Sequence, residues 1–431
     1  MKITAIETLS VAVGPGYPYA VLIVLVRTDE GITGIGEASL AGKSRGVIGV
    51  IDHVSELLIG QDPGRIEHCW SEIVHGTFWS TGQVVMSAVA GIDMALWDIK
   101  GKRLGVPVYD LLGGSTREKV RVYRHLQHDN TGSVEREIAT LVHDAHAWKE
   151  QGFTCLRFSP LAANTGAPWD PSQSMMATIR GAEALRKELG DDIELLVDAH
   201  TMFSPIESVQ LANALSSYRL FFYEDPVRPF NAQALRLIRQ KTTVPLATGE
   251  QFSHKWEFQP LIEEELVDYL RVDVAHAGGI TEAKKILAAG EIHQQRSALH
   301  HASSPINGVV CLHIDMAIPN FGIQEWQEFD ALYELFPGRR GRSMAMSPVR
   351  TGRVWVLSST NRKLAGVTRM MPNSPIAIGR WIGGGFLATG KRRTGAGSCV
   401  EFPAPRWRSV AGCRNGHRSL PPLRRECRCW G

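Results

Sequence analysis

Six short β-rich runs in this 431-residue chain end in Asp198, Glu224, Glu250, Asp273, His300 and Glu325, at intervals of 26, 26, 23, 27 and 25 residues. An interval of that length holds one strand, one helix and their two connections, so the strands run parallel. Two similar runs come earlier and bring the count to eight: Val120–Tyr123, Thr154–Phe158, Glu194–Asp198, Leu220–Glu224, Pro245–Glu250, Tyr269–Asp273, Ser297–His300 and Phe321–Glu325. Eight such strands predict an α/β fold of the (β/α)-barrel kind rather than an open doubly wound sheet. Every strand of a parallel barrel opens its C-terminal end on one face. Six ionisable strand ends can therefore converge there.

The chain before this repeat reads differently. Met1–Val13, Tyr19–Thr28 and Thr33–Glu37 are β-rich, with the turn signal Asp29-Glu30-Gly31 between the last two, and apolar spacing turns helical from Gly46 to Gly113, notably across Val84–Leu104. This predicts a small α+β unit over residues 1–115, followed by the barrel over 116–330.

Charge divides the chain a second time. Residues 1–330 hold 28 Lys and Arg against 41 Asp and Glu, a net −13, whereas residues 331–431 hold 19 against 3, a net +16. The last stretch is Arg-, Gly-, Ser- and Pro-rich with little periodicity, and it carries four of the seven cysteines. Its composition fits a disordered basic tail, a nucleic-acid-binding arm or text from a shifted reading frame. The acidic body sets nucleic-acid wrapping aside, and the tail is expected to be disordered or frame-shifted.

At 44% hydrophobic and 21% charged, with mean hydropathy −0.10, the composition is that of a soluble globular protein. The longest apolar run, Ala20–Val26, is far short of the roughly 20 residues a membrane helix needs. Met1–Glu7 shows no charged region followed by an apolar one, so no secretory leader is expected and the cytoplasm is the predicted compartment. Cys69, Cys155 and Cys311 are scattered through the body, as free thiols would be.

Asp198, Glu224 and Glu250 end consecutive strands. Three carboxylates in that register suit a hard divalent cation such as Mg²⁺, which takes oxygen ligands and keeps room for water or substrate. His200 lies two residues beyond Asp198, and strand alternation puts it on the same side, as a general acid or base. His300 ends the strand next to the one ending in Asp273, and a carboxylate beside an imidazole orients it and stabilises its charged form. The adjacent His301 points elsewhere by alternation and reads as structural.

The segments Val89–Lys100, Phe222-Tyr-Glu-Asp-Pro226, Ala247-Thr-Gly-Glu250, Val272–Thr281 and Ile323-Gln-Glu325 resemble the enolase superfamily. More narrowly they resemble its mandelate racemase subgroup, and within it the sugar-acid dehydratases. The resemblance runs from Met1 to about Phe329. It implies a modified barrel of the enolase type whose N-terminal unit caps the barrel mouth, and a homo-oligomer. It also makes Asp198, Glu224 and Glu250 the Mg²⁺ ligands and Asp273–His300 the dyad that takes the α-proton. His200 becomes the acid that protonates the departing 3-hydroxyl, and Glu325 the hydrogen-bond partner on the enolate side. The tail stands in place of the family's C-terminal cap segment.

One departure bears on the reaction. Racemases of this subgroup carry Lys-x-Lys on the second barrel strand, where this chain has Arg157-Phe158-Ser159. Guanidinium stays protonated, so Arg157 binds carboxylate or hydroxyl and is a poor base. Elimination through His300 and His200 survives that change, so a dehydratase of aldonates, giving 2-keto-3-deoxy products, is expected. An epimerase or racemase of hydroxy acids and a weakly active regulatory homologue are the alternatives. The loops Gly14–Tyr19 and His75–Ser80 are expected to close over an acid sugar, with Tyr19 and Trp79 touching it.

Overall fold

A computed structural model describes residues 1–12, 20–127, 133–162 and 169–327. The predicted N-terminal strands form as an antiparallel sheet of β1 (Ile3–Ala12), β2 (Ala20–Thr28) and β3 (Thr33–Glu37), with β2 central. The apolar run of β2 is buried almost throughout, as a strand covered on both faces must be. Four helices follow: α1 (Ser44–Leu58), α2 (Ile66–His75), α3 (Gln83–Leu104) and α4 (Val108–Leu111). Helix α3 has buried residues on nearly every side because it lies between this sheet and the barrel, and it ends at Gly105 in the left-handed conformation that favours glycine.

The barrel strands are β4 (Val122–His125), β5 (Cys155–Phe158), β6 (Glu194–Asp198), β7 (Leu220–Glu224), β8 (Leu246–Thr248), β9 (Tyr269–Leu270), β10 (Arg296–Ser297) and β11 (Gln324–Glu325). Between them run α5 (Val134–Glu150), α6 (Pro171–Leu189), α7 (Pro205–Leu215), α8 (Ala232–Lys241), α9 (Lys255–Glu263), α10 (Gly279–Ile292) and α11 (Pro305–Ala317). The strands pair in parallel in the order β10-β9-β8-β7-β6-β5-β4-β11. A parallel bridge from Ser297 to Phe321, with the Ser297 amide donating to Asn320 at 2.9 Å, brings the two ends of that order together.

All eight predicted runs are strands, several of them shorter than the run, the last only at Gln324–Glu325. The first lies two residues later than its sequence suggests, which brings His125 to the mouth. The runs ending at Asp273 and His300 form regular ladder only at their beginnings, yet Arg271 still donates to Thr248, His300 donates to Val272, and Asp273 bridges His300.

The two units meet where α3 packs on the start of α10. Asp93 accepts from the Thr281 hydroxyl at 2.5 Å and its amide at 3.1 Å, and Trp70 Nε1 donates to the Gly278 carbonyl at 3.0 Å. Gly278 and Gly279 have φ of +76° and +88°, and a Cβ on Gly279 would lie 2.3 Å from Asp93 Oδ2. Both conformation and space therefore demand glycine. The segments 13–19 and 331–431 lie outside the described residues, and with them the predicted Gly14–Tyr19 loop and the predicted basic tail.

Candidate active site

Six of the eight strands carry a functional side chain two residues beyond one that fills the barrel interior. Tyr123, Cys155, Leu196, Phe222, Ala298 and Ile323 form the inner apolar layer; His125, Arg157, Asp198, Glu224, His300 and Glu325 stand above them on the same faces. Glu250 is reached differently. It follows Gly249, whose φ of +139° turns the chain off the strand and whose missing Cβ leaves room for the Phe258 ring.

The mouth is a buried ion-pair network. Arg157 Nη1 lies 2.6 Å from Asp198 Oδ2 and 3.3 Å from Glu224 Oε2, and its Nη2 is 3.1 Å from His125 Nδ1. Arg271, fully buried, places Nε 2.5 Å from Glu224 Oε1 and Nη2 2.6 Å from Glu325 Oε2 and 3.8 Å from Glu250 Oε2. His300 Nδ1 stands 2.6 Å from Asp273 Oδ2 while Nε2 faces Glu250 at 3.3 Å and Glu325 at 4.0 Å. With Nδ1–H donating to the carboxylate, Nε2 is the nitrogen turned into the mouth. His200 Nε2 is 2.6 Å from Asp198 Oδ2, and its buried Nδ1 has no hydrogen-bond partner among the described residues.

Electrostatics follow from this packing. Burial pushes the Glu224 carboxyl up to about 7, opposed by Arg271 and reinforced by Asp198, and it raises Glu250 in the same way. Asp225, next to Glu224, rises to about 8 through burial and the charges of Glu250 and Asp198. Asp198 goes the other way: burial opposes, but His200 and Arg157 hold it low. The His200 imidazole is raised because Asp198 outweighs burial. Burial also works against charge on His300, but Glu250, Glu325 and Asp273 push it up to about 10. His125 falls to about 3 through burial and the Arg157 charge.

The predicted site residues thus come together, with two exceptions. Tyr19 lies outside the described residues. Trp79 is 85% exposed, its ring edge-on to Phe78, in the α2–α3 loop. That loop borders the one following Glu250: Gln83 Nε2 donates to the Gln251 carbonyl, and the His75 ring meets Trp256. His200 reaches the mouth by a left-handed turn (φ +46°) beyond the end of β6, not by strand alternation. His301 is buried away from the mouth, its Nε2 3.0 Å from the Ser304 carbonyl.

Three ionisable positions at the mouth are missing from the sequence reading: Arg271, His125 and Asp225. Arg271 had a readable signal, since it sits two residues before Asp273 and so on its face of the strand, in an otherwise apolar run. His125 was hidden by the two-residue displacement of its strand.

The donors fit a divalent cation. Asp198, Glu224 and Glu250 are carboxylates, as Mg²⁺ requires, and Asp198 raises the other two, as crowded like charges do. As the side chains stand, Arg157 bridges Asp198 and Glu224, and among the described residues no three acids or histidines close into a metal cage. Arg157 is the internal counter-charge whose place a cation would share.

Comparison with known proteins agrees with this architecture. Residues 4–113 match the mandelate racemase / muconate lactonizing enzyme N-terminal domain, and residues 140–356 match the enolase C-terminal domain-like family. A D-mannonate dehydratase of Caulobacter sp. (strain K31) is 41% identical over 337 residues, covering 72% of this chain and 82% of that protein. A D-galactonate dehydratase family member of Pantoea ananatis is 37% identical over 370 residues, covering 78% and 87%. The crystal structure of an enolase from Pantoea ananatis with bound D-gluconate and Mg is 34% identical and superposes with a TM-score of 0.72 over 80% of this chain and 92% of that one. The chain belongs to the mandelate racemase / muconate lactonizing enzyme family of the enolase superfamily, in its sugar-acid dehydratase branch, and is accordingly a hydro-lyase. Among the described residues no helix is long and apolar enough to cross a membrane.

Proposed function

We propose that the protein is a Mg²⁺-dependent dehydratase of an aldonate such as mannonate or galactonate, forming the 2-keto-3-deoxy acid. The observation that carries this reading is the pair of histidines on opposite carboxylates at one barrel mouth: His300 on Asp273 and His200 on Asp198, both 2.6 Å. The relatives named above supply the substrate class.

Asp198, Glu224 and Glu250 would hold the cation, which when bound supplies positive charge to the substrate carboxylate as the α-carbon loses its proton. His300, its ring oriented by Asp273, takes the α-proton on Nε2 in its neutral form; a cation on Glu250 would offset the charge that otherwise holds the ring protonated. The electron pair of the broken C–H bond moves toward the carboxylate and then forms the Cα–Cβ double bond as the β-hydroxyl departs. His200, kept protonated by Asp198, gives that hydroxyl its proton, so water leaves. The enol tautomerises to the 2-keto acid. Glu325, fixed by Arg271 and by the His301 amide at 2.9 Å, presents a carboxylate edge beside His300. Arg157 offers a guanidinium to substrate oxygens, and Trp79 stands on a cap loop suited to closing over the sugar. A homo-oligomer working in the cytoplasm, with the acid sugar as its partner, completes the proposal, as do the division into a cap over 1–115 and a barrel over 116–330.

Isotope exchange separates the histidines. In ²H₂O with Mg²⁺ and aldonates, His200→Asn is expected to exchange the α-proton without forming keto acid, and His300→Asn to do neither. Exchange that survives in the His300 variant and vanishes in the His200 variant would reverse the roles; racemised product without keto acid in the wild type would sink the dehydratase reading.

A further inference from the structure

Asp273 carries two imidazoles, and the chemistry above uses one. His276 Nδ1 lies 3.2 Å from Asp273 Oδ2, the same oxygen that holds His300 Nδ1 at 2.6 Å, and 3.5 Å from the Glu250 carbonyl. The other ring nitrogen, Nε2, is 3.1 Å from the backbone carbonyl of Ser39, two residues past β3 in the N-terminal unit. All three oxygens can only accept, so a proton on Nε2 is held by Ser39 and one on Nδ1 is held between Asp273 and the Glu250 carbonyl.

Ser39 is itself firmly tied. Its hydroxyl donates to Glu37 Oε1 at 2.6 Å and accepts from the Leu22 amide at 3.0 Å. Glu37 Oε2 takes the Ser304 hydroxyl and, at 3.1 Å, the Asn307 amide, at the start of the helix that follows His300. Glu37, Ser39, Ser304 and Asn307 are all buried. On the barrel side the Ala275 amide donates to Asp273 Oδ1 at 2.8 Å, and the His276 and Ala277 amides donate to the Asp273 carbonyl. A path of polar contacts therefore leaves the N-terminal unit at Ser39, passes through the half-buried His276 and ends on the His300–Asp273 pair.

We propose that His276 is a positioning residue: it fixes the Asp273 carboxylate, and through it the His300 ring, only while Ser39 is docked on the barrel. The proposal rests on the reading of His300 as the base. Its physical ground is that the Ala275 amide holds only Oδ1, so a second imidazole beside Oδ2 adds resistance to rotation about χ2 beyond what His300 alone supplies. Misplacing a base by about an ångström costs orders of magnitude in rate. The N-terminal unit thereby acts on the base itself and does more than cover the site.

The test uses the full chain with Mg²⁺ and D-mannonate, comparing His276→Leu (or His276→Ala, should the first not fold) with His276→Gln, which keeps a donor toward Asp273. Removal of the ring is expected to lower kcat and α-proton exchange roughly 10- to 100-fold with KM within about twofold, the scale known for outer partners that orient site imidazoles. His276→Gln should recover part of kcat. Two substrate-free readouts accompany this: amide hydrogen exchange of the peptide holding Ser39 should quicken, and the downfield Nδ1 proton of His300 should shift. A kcat within twofold of wild type in the folded Leu or Ala variant overturns the proposal. So does a fall in kcat with both substrate-free readouts unchanged. If wild type turns over no aldonate while the two readouts still respond, the dehydratase reading fails and the link through His276 stands.

Discussion

Two layers of the same eight strands lie one alternation step apart, and they could hardly differ more. The inner layer is Tyr123, Cys155, Leu196, Phe222, Ala247, Ala298 and Ile323, where large and small side chains interdigitate to fill the barrel. The mouth layer above it holds six carboxylates, at Asp198, Glu224, Asp225, Glu250, Asp273 and Glu325, around two buried guanidiniums, Arg157 and Arg271. The first gains from burial and is indifferent to what lies outside. The second is held together by pairing that leaves excess negative charge, so it is built to receive something. Stability is concentrated in one layer and reactivity in the other, and the alternation of a strand keeps them separate.

The largest expected effect comes from breaking the mouth. Glu224→Gln keeps the size of the side chain and an acceptor for Arg271 while removing the charge, so turnover should fall at least a thousandfold, roughly 4 kcal/mol of barrier or more. Folding should be little affected, since burial already penalises that charge and raises Glu224 to about 7. Chelating Mg²⁺ should silence the wild type equally. Activity that persists in the variant or under chelation would remove Glu224 from the metal-binding set.

Breaking the inner layer should do the reverse. Phe222 is fully buried and packs against Tyr123 and Tyr269. Phe222→Ala should cost about 3–5 kcal/mol of stability, the range for deleting a buried aromatic ring. Turnover per folded molecule should change far less than in Glu224→Gln. Denaturant unfolding and active-site titration check this together; a folded Phe222→Ala protein with wild-type stability would mean the layer collapses to fill the void.

The same alternation explains what the sequence could disclose. A strand end bearing an ionisable residue at a near-constant interval is visible in one dimension, so the sequence alone singles out Asp198, Glu224, Asp273, His300 and Glu325. The predicted barrel with its N-terminal α+β unit needed only the switch from one hydrophobic period to another. Pairing across the barrel is not visible in that way. Arg157 was expected to await substrate, but it bridges Asp198 and Glu224, three strands' side chains meeting at one point. Arg271 on Glu224 and Glu325 joins strands about fifty residues apart on either side. Local turns also escape periodicity: the left-handed residues Gly249 and His200 aim Glu250 and an imidazole by torsions that no alternation rule contains.

The smallest effect concerns the one polar atom stranded in the apolar layer. The Tyr123 hydroxyl is fully buried and has no hydrogen-bond partner among the described residues, and burial drives its ionisation far above the ordinary range. An unpartnered buried hydroxyl costs about 1–3 kcal/mol of desolvation, so removing it while keeping the ring should be favourable. The ring itself is to be kept, since it stacks beside His125 at 5.9 Å and meets Phe222 edge-on. Tyr123→Phe is therefore expected to stabilise the protein by about 1 kcal/mol, opposite in sign to Phe222→Ala, and to leave turnover within about twofold. Thermal unfolding of the two proteins side by side decides it. Destabilisation on losing only the oxygen would mean that Tyr123 belongs to the mouth, with its hydroxyl engaged toward Arg271, and that the boundary between the layers lies one residue deeper than the alternation places it.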